Sequence, residues 1–157
     1  MGSMDVSKAG RKSMDVAGIR RWKRRGYYSE RVLVRLLKQH GYRAVRIPVS
    51  APSSEPLLDV FATRDGHIYA FEVKNAKFYA YFPAAQVRKL FEFLDLFDLY
   101  GRLEKLTNEP RRLRHAILAA HLGKKWVFKE VTVRELEHLP PDSRICINKR
   151  MRGNWRP

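Results

Sequence analysis

The stretch Leu57 to Lys74, LLDVFATRDGHIYAFEVK, constrains the fold of this chain more tightly than its other segments. Leu57, Leu58, Val60, Phe61 and Ala62 form an apolar run broken only by Asp59, and Arg64-Asp65-Gly66-His67 follows with turn chemistry. Asp-Gly between two apolar runs is a strong short-range hairpin signal. Ile68 to Val73 then alternates, so Tyr69, Phe71 and Val73 share one strand face while Ile68, Ala70, Glu72 and Lys74 share the other. In such a hairpin, residues equidistant from the turn lie side by side. Asp59 is therefore expected close to Glu72, with Lys74 beside it at the strand end.

Two carboxylates gathered at a sheet end repel one another unless a cation or a proton intervenes, and acidic residues are depleted in strands. A divalent metal held by Asp59 and Glu72 supplies that cation, and Lys74 then steadies an attacking water or the charge that builds on a phosphate. The plainer reading puts Asp59 at a frayed strand start and pairs Glu72 with Lys74 or Arg64 on a solvated face. Glu72-Val73-Lys74 alone favours the plainer reading. Convergence of all three residues on one edge brings the two readings level.

Charge narrows the partner. Lys and Arg number 32 against 16 acids, a net +16 in 157 residues, which points to a polyanion. Hydrophobic content of 45% suits one globular domain with a real core. No apolar run approaches bilayer length, since Glu92, Asp95 and Asp98 interrupt the segment from Phe91 to Tyr100, so no membrane partner is expected. The N-terminus has no apolar core segment of a secretory signal, and Met1-Gly2-Ser3 reads as an expression remnant. The single cysteine, Cys146, excludes an internal disulfide and agrees with a cytoplasmic setting; between Ile145 and Ile147 it reads as a small buried hydrophobe.

Three regions are expected: a flexible basic arm over 1–25, a catalytic domain over 26–147 and a frayed basic tail over 148–157. Arg20, Arg21, Lys23, Arg24 and Arg25 surround Trp22, a pattern that neutralises phosphates and offers a ring for stacking. Tyr28 to His40 reads as the first helix, with Ser29 and Glu30 in its opening turn, Val32, Leu33, Leu36 and Leu37 as its apolar stripe and Gly41 ending it. Tyr42 to Val49 reads as a strand, and Ser50 to Pro56 as a loop feeding into Asp59. Pro83 opens a helix from Ala84 to about Leu103 whose apolar positions cover more than half its circumference. Either another helix or a second subunit covers the surplus, and a homodimer is the favoured expectation. His115 to Leu122 and Trp126 to Val131 are strand candidates, and Arg144 to Ile147 a final strand. Between them, Thr132 and Glu135 form a capping box for a short helix.

In order, Tyr27-Tyr28-Ser29-Glu30-Arg31, Arg46-Ile47-Pro48-Val49-Ser50, Glu55-Pro56-Leu57-Leu58-Asp59-Val60, Phe71-Glu72-Val73-Lys74 and Gln86 resemble the archaeal-type Holliday junction resolvase family, within the PD-(D/E)XK nuclease superfamily. The resemblance spans roughly Tyr27 to Val131. Leu58 stands where the superfamily name expects proline, and the aromatic run before Gln86 also departs from the family pattern. The resemblance implies an α/β fold with a restriction-endonuclease-like central mixed β-sheet flanked by helices. It implies metal ligation by Asp59, Glu72, the Val73 carbonyl and Glu30, the last directly or through water, and a catalytic role for Lys74 and Ser50. Arg46 and Ser50 match positions that contact the scissile strand, and Gln86 an accessory polar position. Arg24, Arg25, Arg31 and Lys77 are counted as DNA-contacting cations. The implied activity is resolution of four-way DNA junctions by paired nicks from a homodimer, with Mg2+ as cofactor and Mn2+ able to substitute.

Hard cations on carboxylate oxygens suit phosphodiester hydrolysis. His67 and His115 lack zinc spacing, and no Gly-rich phosphate loop is present. Two alternatives stay open: a DNA-binding protein on a nuclease scaffold that does not cut, and a restriction-type or repair nuclease acting on ordinary or damaged duplex.

Overall fold

The hairpin anticipated around Asp65-Gly66 lies at the centre of the molecule. The computed structural model describes residues 16–48, 55–97 and 113–157. Strands β2 (Val60–Arg64) and β3 (His67–Ala76) pair antiparallel, with Val60 opposite Phe71 and Arg64 opposite His67. Asp65 and Gly66 both take positive φ, 51° and 79°, which a two-residue turn needs to follow strand twist. On one side β1 (Arg43–Arg46) pairs with β2. On the other, β5 (Arg114–Leu122) runs parallel to β3 and β6 (Lys125–Val131) closes the sheet. The order is β1-β2-β3-β5-β6.

Parallel neighbours need a long crossover, and α2 (Ala84–Asp95) lies within it. Alternation along β3 builds two cores. Ile68 and Ala70 pack with Val87, Leu90 and Leu94 of α2, while Tyr69, Phe71 and Val73 pack with Leu33 and Leu37 of α1 (Val16–Gln39). Helices thus cover both faces of a mixed sheet, the expected α/β class. A second, two-stranded sheet joins β4 (Tyr79–Pro83) to β7 (Arg144–Asn148). Before β7, α3 (Val133–Glu137) carries the anticipated capping box. Thr132 Oγ1 accepts the Glu135 N–H at 3.1 Å, and Glu135 Oε2 accepts the Thr132 N–H at 2.9 Å.

Several expectations change. Helix α1 already runs from Val16, well before Tyr28, so Ser29 and Glu30 sit mid-helix and residues 16–25 are helical, while the rest of the expected arm, 1–15, lies outside the described residues. Arg and Lys propagate helix well without an apolar stripe to announce it. Strand β1 stops at Arg46, two residues before Pro48. The run Tyr79 to Pro83 forms a strand, and α2 starts at Ala84 as expected, with Pro83 as its N-cap. Cys146 is exposed, because β7 turns Ile147 inward and Cys146 outward. The tail after Asn148 is packed, not frayed. Asn154 receives the Glu130 N–H at 2.7 Å and donates to the Glu130 carbonyl at 3.1 Å, and the Trp155 ring lies 5.6 Å from Phe71 and 5.3 Å from Phe128. Helix α2 ends at Asp95 rather than running on toward Leu103, and residues 98–103, with most of the loop after them, lie outside the described residues.

Candidate active site

Asp59 stands just before β2, gripped by three backbone bonds. Its N–H donates to the Phe71 carbonyl at 3.1 Å, its carbonyl accepts the Ile47 N–H at 2.9 Å, and its Oδ2 accepts the Val73 N–H at 2.7 Å. Hairpin register places Glu72 across from it. Glu72 is buried, 8% exposed, and its Oε1 lies 3.3 Å from Lys74 Nζ. From α1, Glu30 reaches the same cleft, its Oε2 3.0 Å from Arg46 Nη1. The Arg46 guanidinium in turn sits over the Tyr27 ring at 5.0 Å.

The cleft measures about 790 Å3 and is lined by Glu30, Asp59, Glu72, Val73, Lys74, Lys77 and Gln86, among others. Burial pushes the Asp59 carboxyl up to about 6, against the opposing Val73 N–H bond, with the Glu30 charge adding to the rise. Burial and then the Asp59 charge push Glu72 up to about 7, the neighbouring Lys74 opposing. The two desolvated acids raise each other's cost of ionising, and the Lys74 ammonium, 3.3 Å from Glu72, opposes that rise at both. Gln86 Oε1 is buried in the same cleft without a hydrogen-bond partner among the described residues. A hydrated hard cation answers both features, since carboxylates ligate it and its waters donate to a stranded carbonyl. Glu30 is turned toward Arg46, and among the described residues no three His, Cys, Asp or Glu side chains converge with metal-holding geometry. The two carboxylates, Asp59 and Glu72, are oxygen donors of the kind a hard divalent cation takes.

The structure thus brings Glu30, Asp59, Glu72, Val73, Lys74, Lys77 and Gln86 to one cleft and links Arg46 to it through Glu30. Arg31 is exposed on α1 and does not line the cleft. The backbones of Arg24 and Arg25 lie in α1, but their side chains, like Ser50, are outside the described residues. One polar cluster had no sequence signal. Buried Ser29 accepts from Asn75 Nδ2 at 2.6 Å and lies 2.8 Å from His121 Nδ1. Asn75 and His121 are register partners on β3 and β5, and burial holds the His121 pKa down. Asn75 also lines the cleft, so this cluster fixes the sheet edge next to Lys74. His67 and His115, at the other end of those strands, meet at 2.8 Å, and His115 Nδ1 donates to Glu130 at 2.6 Å.

Residues 21–137 match the family described as archaeal Holliday junction resolvase (Hjc). The chain belongs to that family. A crossover junction endodeoxyribonuclease Hje of Sulfolobus acidocaldarius is 44% identical over 115 residues, 73% of this chain and 73% of the relative. The Hje of Saccharolobus islandicus is 43% identical over 77 residues, 48% of this chain and 57% of that protein. Archaeoglobus fulgidus Hjc, a Holliday junction resolvase from an archaeal hyperthermophile, superposes with a TM-score of 0.54 at 21% identity, covering 79% of this chain and 88% of that one. That likeness identifies the resolvase fold, restriction-endonuclease-like, with the mixed sheet and flanking helices described above.

Proposed function

We propose that this chain is an endodeoxyribonuclease that resolves four-way DNA junctions by hydrolysing phosphodiester bonds, with a divalent cation, Mg2+ or Mn2+ in its place. The observation that carries the reading is the buried Asp59–Glu72 pair, whose mutual repulsion is left with too little positive charge inside a cleft open to a backbone phosphate. Family membership supports the choice of branched DNA.

Asp59 and Glu72 would hold the cation, joined by the Val73 carbonyl and by Glu30 directly or through water. When bound, such a cation supplies charge for the phosphate oxygens and lowers the pKa of a water. The Lys74 ammonium orients the attacking water and stabilises charge on phosphorus. The water oxygen forms the new P–O bond as the ester P–O bond breaks, and a proton passes to the departing oxygen. Arg46 holds Glu30 in place and, with Lys77 and Ser50, binds the scissile strand. Gln86 accepts from water in the cleft. Arg24, Arg25 and Arg31 contact phosphates farther along the arms. Two copies, paired as a homodimer, nick opposing strands symmetrically. Residues 26–147 carry the chemistry, in the cytoplasm.

Cleavage of a synthetic four-way junction, with Mg2+ and with EDTA, tests this. Glu72→Gln and Asp59→Asn are each expected to lose at least about 1000-fold in cleavage while still binding the junction. Wild-type activity in either variant overturns the site. Equal cutting of a linear duplex at matched salt would favour the restriction or repair reading.

A further inference from the structure

The β4–β7 sheet has one face in the core and one bare. Ala80, Phe82 and Ile147 are at most 2% exposed, so the ribbon is firmly seated. On its outer side Tyr79 is 57% and Tyr81 44% exposed, and Phe78, just before the strand, 51%. Register places Tyr81 opposite Cys146 and Tyr79 opposite Asn148. Each end of this aromatic strip carries a cation: Lys77 Nζ lies 5.2 Å from the Phe78 ring centre, and the Arg144 guanidinium 4.4 Å from that of Tyr81. Lys77 also lines the catalytic cleft. The strip therefore continues the cleft wall outward.

We propose that Phe78, Tyr79 and Tyr81, flanked by Lys77 and Arg144, form a stacking surface for unpaired DNA bases beside the active site. The choice of DNA rests on the junction-nuclease reading. Three exposed rings are costly on a monomer surface unless something covers them. An apolar protein partner would leave two cations without counter-charges. A base with its phosphate satisfies both, since bases stack on aromatic rings and guanidinium planes while phosphates pair with Lys and Arg. Tyr79 and Tyr81 are two residues apart on a strand, about 6.8 Å. That is twice the roughly 3.4 Å rise per nucleotide in a strand, room for one base between two rings. Bases inside a duplex are already stacked on their neighbours. The surface thus selects DNA whose bases have lost their partners, as at a branch point or a strand end beside a duplex.

The test is binding in EDTA, where no cleavage is needed, of a duplex bearing a single-stranded tail with 2-aminopurine next to the duplex end, against the fully paired duplex. The wild-type chain is expected to prefer the tailed DNA by about 5- to 150-fold, the range of one stacked base, and to quench the 2-aminopurine. Tyr79→Leu/Tyr81→Leu should lose the preference and the quenching while binding the paired duplex within about twofold. A second measurement needs no substitution. Cys146, the sole cysteine and exposed on this face, should be alkylated more slowly when tailed DNA is bound and at the unprotected rate with paired duplex. Preference and quenching that survive in the double variant, Cys146 left unprotected by the tail, or loss of dimer in the double variant by sedimentation would each overturn the proposal. Junction cleavage by the wild type is read separately. Its absence sinks the nuclease reading while the binding arms still report on stacking.

Discussion

At Asp59 and Glu72 the fold works against its own charges. Both carboxyls are raised, by burial first and by each other or Glu30 next, and an acid raised by folding contributes stability that is present below its unfolded pKa and lost as pH climbs through the folded one. In EDTA the window runs from about 4, the ordinary carboxyl value, to about 7. The metal-free protein should therefore lose melting temperature between pH 5 and pH 8, by about 3 °C or more from this pair. Glu72→Gln should flatten that slope. Mg2+ should raise the wild-type melting temperature at pH 8 and leave Glu72→Gln nearly unmoved, by calorimetry. These acids were legible in the sequence because one two-residue turn fixes their register. The Ser29–Asn75–His121 cluster was not, because its contacts span 92 and 46 positions along the chain. A lone serine mid-helix gives no sign of what it will meet.

Among the elements, those with an apolar rhythm could be read and those without one could not. The stripe Val32, Leu33, Leu36, Leu37 announced the C-terminal half of α1, whereas residues 16–27, rich in Arg and Gly, gave no such period. Charge there reads as an arm, although the same residues propagate a helix once it is nucleated. In the run from Phe78 to Phe82 the aromatic density hid an out–in alternation that marks β4. Basic residues hid the tail's role in the same way. Gly153 lies so close to β6 that a Cβ there would come 2.1 Å from the Phe128 carbonyl oxygen. Gly153→Ala should then cost about 1–3 kcal/mol through forced displacement, and Trp155→Ala about 2–4 kcal/mol through the lost ring packing. Urea unfolding would read both, and values near zero would mean the tail is loosely held.

For the whole molecule the net +16 is expected to set the scale of DNA binding, and the proposed site only the chemistry. Affinity for any DNA of equal length should fall steeply with salt. With six to ten phosphates neutralised, the loss is about 1000- to 100000-fold between 50 and 200 mM. A slope shallower than about four in a log–log plot of junction affinity against salt would show that charge is less engaged than this. The surplus apolar surface expected on the second helix is partly absorbed at home. Phe61 of β2 stacks on Phe97 at 5.3 Å and meets Phe93 at 5.7 Å, while Leu96 stays 68% exposed. Among the described residues, Phe93 and Phe97 are thereby turned to the chain's own β2.

The Asp65-Gly66 hairpin has a further bearing on how such proteins vary. Asp59, Glu72 and Lys74 are joined by a single short reversal, so a genetic exchange that moves residues 57–74 as a block transfers all three together, already in register. The rings on β4, the cations around the cleft and the tail that backs β6 are encoded elsewhere and can drift independently. Asp59, Glu72 and Lys74 can thus be inherited apart from Glu30 on α1, the rings on β4 and the tail.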